Sequence, residues 1–249
     1  KQKDFYTTNH IYTRNFTNAL IECDMVPRKF VYMSSLSVCG KGDEKNYTPF
    51  KITDTPHPDT NYGKSKLMAE EHLRSLPNFP YIILRPTGVY GPRERDYLLM
   101  MKTIKWCVDF RSGWSKQLIT FVYVKDLVRA IFAAVECDKR QKTYFISEEQ
   151  AYSSSGFSDY VAQELGRKFV LPIILPMWML WIITHTAEIF NKLTGCTSVI
   201  NRDKYHIMSQ RNWVCDTSLT REELGFVPQY SLEEGVRETV AWYRANKWL

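Results

Sequence analysis

The sequence predicts an α/β protein: a doubly wound parallel sheet with a smaller, mainly helical C-terminal lobe. Three observations carry this reading. The segment Lys29-Phe30-Val31-Tyr32-Met33-Ser34-Ser35 is an apolar β-type run that breaks into hydroxyls and ends at Gly40. A second run, Tyr81-Ile82-Ile83-Leu84, breaks into the turn residues of Arg85-Pro86-Thr87-Gly88-Val89-Tyr90-Gly91-Pro92. Between them the residues from Tyr62 onward read as a helix. A strand, a helix and a strand make a βαβ unit, which requires a parallel sheet. Ligands of open parallel sheets bind beyond the carboxyl ends of the strands. Both hydroxyl- and glycine-bearing ends fall there, so one crevice would hold Ser35, Tyr62 and the loop Pro86–Val89.

The remaining elements follow in order. Phe5, Ile11, Phe16, Ala19 and Leu20 fall on one face of a helix over 4–23. The strand at 29–34 precedes a helix over 62–75, and the stretch 93–117 reads as a helical excursion away from the sheet. The run Leu118–Val124 returns toward it, followed by a helix over 126–136, with Asp126 in a structural role such as a helix cap. A strand at 142–147 comes next, then a turn at Ser153–Gly156 and a helix over 157–165. Pro176 opens an apolar helix that Gly195 would end, and Leu232–Asn246 forms the last helix.

The chemistry centres on Asn61-Tyr62-Gly63-Lys64-Ser65-Lys66. A tyrosine and a lysine four residues apart project side by side from a helix. A phenol ordinarily has a pKa of about 10, and a fixed positive charge beside it favours the phenolate. Proton exchange with a substrate alcohol works best with a pKa near operating pH. Lowering the phenol by ~3 units takes ~4 kcal/mol of differential stabilisation, which a lysine, a cationic ring and a dry pocket together provide.

In these motifs the chain resembles an extended short-chain dehydrogenase/reductase, the superfamily of NAD-dependent epimerases, dehydratases and 3β-hydroxysteroid-dehydrogenase-like reductases. The matching segments are Ser34-Ser35-Leu36-Ser37-Val38-Cys39-Gly40, Tyr62–Lys66, Arg85–Pro92, Phe121–Leu127, and the closing Asp216-Thr217, Glu223–Phe226, Gly235 and Trp242-Tyr243. The resemblance implies a Rossmann-like fold, NAD or NADP as cofactor, and a small-molecule substrate. It makes Tyr62 the acid/base, Ser35 the catalytic hydroxyl, and Lys66 the anchor of the nicotinamide ribose. Pro86, Thr87 and Val89 would lie against the nicotinamide amide. It also implies a partial NAD(P)-binding domain from 1–92 and 118–148, a substrate lobe from 93–117 and 149–249, and a homodimer through helices 4–23 and 62–75.

The glycine-rich turn that opens such a fold does not occur in the sequence. The expectation is that the N-terminal βα units are missing, that the strand at 29–34 is an apolar edge open to pairing, and that stability requires the missing half. The residue that separates NAD from NADP would belong to that half.

Composition fits a cytoplasmic globular protein, at 44% hydrophobic and 24% charged. Net charge is +6, but the basic residues are scattered without interleaved aromatics, so nucleic-acid binding is not expected. The cysteines (23, 39, 107, 137, 196 and 215) show no C-x-x-C spacing, which points to free thiols. The histidines show no ligand spacing, so no metal site is expected. Phe169–Ile183 is an uncharged apolar run, but it contains Pro172 and Pro176 and is shorter than the ~20 residues of a membrane span. No transmembrane segment is expected; a core helix, a pocket wall for a hydrophobic substrate, or peripheral membrane contact remain.

Within the superfamily, Leu36 and Ser37 stand where dehydratases carry acids. Ile119-Thr120 stands where many nucleotide-sugar epimerases carry an arginine that grips diphosphate, although Lys116 or Arg111 could substitute. The expected activity is therefore oxidoreduction of a secondary alcohol or ketone on an apolar small molecule. The alternatives are a nucleotide-sugar epimerase and a non-catalytic remnant.

Overall fold

The structure, a computed structural model, describes residues 2–194 and 202–249. The expected helix stop at Gly195, and Cys196, lie outside the described residues. The chain opens with α1 (Gln2–Phe5), a π-helical stretch (Tyr6–Ile11) and α2 (Tyr12–Glu22), which follow one another as one helical rod. Then come β1 (Phe30–Met33), α3 (Asn61–Ser75), β2 (Tyr81–Pro86), β3 (Gly88–Tyr90), α4 (Arg95–Lys105), β4 (Val108–Ser112), β5 (Leu118–Ile119), β6 (Phe121–Tyr123), α5 (Val124–Glu136) and β7 (Lys142–Ile146). The C-terminal part holds β8 (Tyr152–Ser153), α6 (Gly156–Glu164), β9 (Leu171–Leu175), α7 (Met177–Thr194), α8 (Arg202–Ser209), β10 (Asn212–Trp213), α9 (Ser218–Leu224) and α10 (Leu232–Ala245).

The parallel sheet runs in the order β1-β2-β7, with Phe30 opposite Tyr81 and Ile82 opposite Lys142. Successive strand side chains point to opposite faces. Tyr32, Tyr81 and Ile83 therefore meet Ala69 and Leu73 of α3 together with Leu20 of α2. Val31, Met33, Ile82 and Leu84 meet Leu127, Ala130 and Ala134 of α5. Burial on both faces explains why these strands read as continuous apolar runs rather than alternating ones. β1 forms one edge of this sheet, as the sequence predicts for 29–34. A separate core joins α4, α6 and α10 around Tyr90, Phe121 and Phe157.

Several expectations need correction. The helical excursion over 93–117 contains a strand: β4 pairs in parallel with β9, Val108 opposite Leu171 and Ser112 opposite Leu175. Pro172 masks β9 in the sequence, but as an edge strand paired on one side it tolerates this proline, whose missing N–H faces away from the ladder. The run Leu118–Val124 is not one strand. β5 joins β8 and β10, while β6 pairs with β3. Asp126 is structural but does not cap its own helix. Its carboxylate accepts from the amides of Gln229 and Tyr230, both at 3.0 Å through Oδ2, and fixes the approach to α10.

Candidate functional site

The end of β1, the start of α3 and the end of β2 converge as the βαβ pattern requires. Thr60 caps α3, its hydroxyl accepting from Gly63 N at 3.0 Å. Gly63 is needed for close approach: a Cβ there would stand 2.5 Å from the Ser37 carbonyl oxygen. The first turn of α3 can thus press against the short 3-10 turn Leu36–Val38, whose cap is Ser35. The Ser35 hydroxyl accepts from Ser37 N at 3.2 Å and donates to Ser37 Oγ at 3.1 Å.

Tyr62 sits on the second position of α3, its ring edge-on to Phe5 at 5.7 Å. Asp203 of α8 reaches the same helix start, accepting from Asn61 Nδ2 at 2.8 Å and Tyr62 N at 3.3 Å. A carboxylate suits the positive end of the helix dipole. Burial pushes the Tyr62 phenol above its ordinary range, with the Ser35 hydroxyl acting in the opposite sense. The lowering expected of Tyr62 needs lysine, a cationic ring and a dry pocket together, and the protein's own groups hold the phenol on the raised side. The Lys66 ammonium lies 5.9 Å from the Tyr62 ring centroid and donates to the Met33 carbonyl at 2.7 Å.

Lys66 is pushed down to about 8 by burial, against the opposing pull of Glu70. Unfolded lysine keeps its proton to about 10.4, so between these values the unfolded chain binds more protons and stability from this group rises with pH. Thermal melts from pH 7 to 10 should show the wild-type protein gaining on Lys66→Met over that window. Parallel curves for the two proteins would contradict the assignment.

The α3 face carrying Tyr62 and Lys66 continues to Glu70 and Arg74. Glu70 accepts from Arg85 Nε and Nη2 at 2.9 and 2.6 Å, from Ser34 Oγ at 2.5 Å and from Arg74 at 2.8 Å. Arg85 and Glu70 are essentially inaccessible. Burial raises the Glu70 carboxyl, but Arg85, Ser34 and Arg74 outweigh it and hold it below the usual carboxylate range. The i, i+4 spacing of this ladder was visible in the sequence; its pairing with β2 was not.

Ser35, Pro86 and Thr87 line one cavity of about 310 Å³. Tyr62, Lys66 and Val89 are not in its wall; Tyr62 adjoins it through Ser35, and Val89 lies in β3. The Thr87 amide is committed to the Ile146 carbonyl at 3.1 Å, whereas its hydroxyl is buried without a partner. The rest of the wall is mainly apolar: Tyr97, Met100, Phe110, Phe121, Phe157 and Trp213. Gly88 lets Tyr97 close in, since a Cβ there would stand 2.5 Å from the Tyr97 hydroxyl. These wall residues escaped the sequence reading, although Tyr97, Met100, Met101 and Ile104 form an amphipathic stripe on α4. Arg111 lines the cavity with its Nε donating to buried Asp109 at 2.6 Å, and Lys116 stays outside, over Tyr47 at 5.0 Å.

Burial lifts the Cys39 thiol to about 12, and Cys23, Cys39, Cys107, Cys137 and Cys215 are all free. Among the described residues no His/Cys/Asp/Glu group could hold a metal, and no helix is long and apolar enough to cross a membrane.

With this geometry in hand, comparison with known proteins defines the class. The model of the NAD dependent epimerase/dehydratase family matches residues 1–147. The chain belongs to that family, within the extended short-chain dehydrogenases/reductases. It is 28% identical over 225 residues to UDP-glucose 4-epimerase of Vibrio cholerae, covering 88% of this chain and 64% of that protein. It is also 28% identical over 270 residues to short-chain dehydrogenase/reductase family 42E member 1 of Danio rerio, covering 94% and 65%. The chain thus spans just under two thirds of the length of these relatives. Among solved structures, UDP-glucuronic acid 4-epimerase from Bacillus cereus in complex with NAD superposes with a TM-score of 0.75 at 21% identity, covering 98% of this chain and 71% of the other. dTDP-glucose 4,6-dehydratase from Bacillus anthracis in complex with NAD gives 0.77 at 18% identity, covering 99% and 71%. Both likenesses confirm the Rossmann-like α/β fold.

Proposed function

We propose that this chain carries the catalytic and substrate-binding part of an NAD(P)-dependent oxidoreductase that acts on a secondary alcohol or ketone of an apolar small molecule. The observation that carries it is the cavity beside Ser35, walled by aromatic and thioether side chains, whose Arg111 guanidinium is tied to Asp109. Its volume falls in the range of small-ligand pockets. The segments 93–117 and 149–249 serve as the substrate lobe in this reading.

The residues present fit the nicotinamide end of such a cofactor. The orphaned Thr87 hydroxyl is a free polar group at the cavity wall, and Lys66 has donors left after its bond to Met33. NAD or NADP, held there by Lys66, Tyr62 and the Pro86–Val89 loop, supplies the hydride when bound. Ser35 donates to the substrate oxygen, Tyr62 delivers or removes its proton, and Lys66 supports Tyr62 electrostatically. A buried, protonated phenol suits donation to a carbonyl.

An epimerase acting on a nucleotide sugar is the second reading, favoured by the similarity to the Vibrio cholerae protein and by Arg111 in the wall. Supplying the protein with coenzyme and either a hydrophobic ketone or a UDP-hexose separates the two. The proposal expects NAD(P)H consumption with the ketone. Interconversion of the UDP-hexose without net coenzyme turnover, and an untouched ketone, would replace it with the second reading.

The proposed homodimer uses the helical rod and α3, whose Tyr12, Phe16 and Met68 are exposed. Their burial against a second copy would form a four-helix contact. Light scattering should show a dimer that Tyr12→Glu/Phe16→Glu converts to monomer; a monomeric wild type rules this contact out.

A further inference from the structure

The substrate lobe exposes an aromatic surface that neither the sheet nor the cavity uses. Trp106, Trp114, Phe169 and Trp178 are 81%, 71%, 70% and 64% exposed. Their positions are connected by the β4–β9 ribbon. Trp106 and Phe169 each lie two residues before its strands, and the Leu171 amide donates to the Cys107 carbonyl at 2.9 Å. At the far end the Gly113 amide donates to the Leu175 carbonyl at 2.9 Å and Gly113 lies against Met177, which brings Trp114 near the start of α7. Phe110 and Leu171, also exposed, stand on the ribbon between these ends. Trp181 and Ile182 extend the apolar surface along α7.

Basic residues gather at one end. Lys102 and Lys105 close α4 next to Trp106, and Arg167 and Lys168 precede Phe169, all exposed. The acids that share a pocket with Arg167 and Lys168 are Asp159 and Asp109, the latter paired with Arg111. We propose that the β4–β9 ribbon and the first turns of α7 dock on an anionic lipid bilayer, with the tryptophans at headgroup level and the lysines over the lipid phosphates. Tryptophan is the residue enriched at membrane–water interfaces, and clustered Lys/Arg attract anionic leaflets. Aromatics suit a protein interface as well, but the lysine cluster beside them does not, since lysine is depleted from protein–protein interfaces. No described helix spans a bilayer, so the surface lies on the membrane. Phe110 belongs to both the ribbon and the cavity wall, which connects the docking face to a site suited to apolar compounds.

Sedimentation of the protein with vesicles tests this without any reading of turnover, so its outcome is independent of the proposed reaction. Phosphatidylcholine vesicles containing phosphatidylglycerol should carry the protein down and shift its tryptophan emission to the blue; phosphatidylcholine alone should bind it far less. Trp106→Ser/Trp178→Ser should weaken binding by roughly tenfold or more, in line with burial of interfacial apolar side chains. Lys102→Gln/Lys105→Gln/Lys168→Gln should remove the preference for anionic lipid and its salt sensitivity. Both variants alter exposed side chains and should keep the wild-type melt. Protein that stays in the supernatant with both vesicle types overturns the proposal. So does vesicle binding unchanged in the tryptophan variant, or a self-associated form that this variant dissociates with no lipid binding.

Discussion

Tyr62→Phe is expected to lower kcat/KM for carbonyl reduction by about 10²–10⁴-fold, the usual contribution of a positioned acid or base, while leaving the fold intact. The phenylalanine keeps the edge contact with Phe5 and removes only the hydroxyl that adjoins Ser35. KM should change little, because Tyr62 is not part of the cavity wall. Steady-state kinetics on both proteins check this. A variant that retains near wild-type turnover removes Tyr62 from the reaction.

The second large effect falls on stability. Arg85→Met leaves the Glu70 carboxylate buried without its bidentate partner, and Glu70→Ala strands the Arg85 guanidinium. Breaking a buried pair from one side costs about 3–5 kcal/mol. Replacing both, as Glu70→Leu/Arg85→Met, should recover much of that loss, because an apolar pair of similar volume removes both desolvation penalties. The pH dependence has a definite sign. Glu70 is held below the usual carboxylate range, so its contribution is present above about pH 4.3, the unfolded value, and is lost as pH falls through the lower folded value. Urea denaturation of the single and double variants measures both. Only a small loss in Arg85→Met would show that Ser34 and Arg74, not Arg85, carry the carboxylate.

The βαβ unit was legible because its signals are local. Apolar strands end in turn residues, and Tyr62 and Lys66 share a helix face at fixed spacing. Asp203, by contrast, reaches Asn61 and Tyr62 from a helix far along the chain, and no local pattern announces such a contact. The β4–β9 ribbon was hidden for a related reason. Val108–Ser112 mixes charged Asp109 and Arg111 with apolar residues, and Pro172 disguises Leu171–Leu175 as the approach to a helix. Each strand makes sense only beside the other. The pairing of Glu70 with Arg85 likewise forms only when α3 packs on β2. The i, i+4 spacing of Tyr62 and Lys66 says nothing about desolvation, which raises the phenol within the protein itself.

The central claim is that the Tyr62 hydroxyl transfers the proton with Lys66 as its electrostatic support. The pH profile of kcat/KM for wild type and Lys66→Met tests it most directly. The account predicts an alkaline fall of kcat/KM in the wild type where Lys66 loses the charge that supports Tyr62, a fall that is absent from Lys66→Met and from Tyr62→Phe. Superimposable profiles for all three proteins would contradict it.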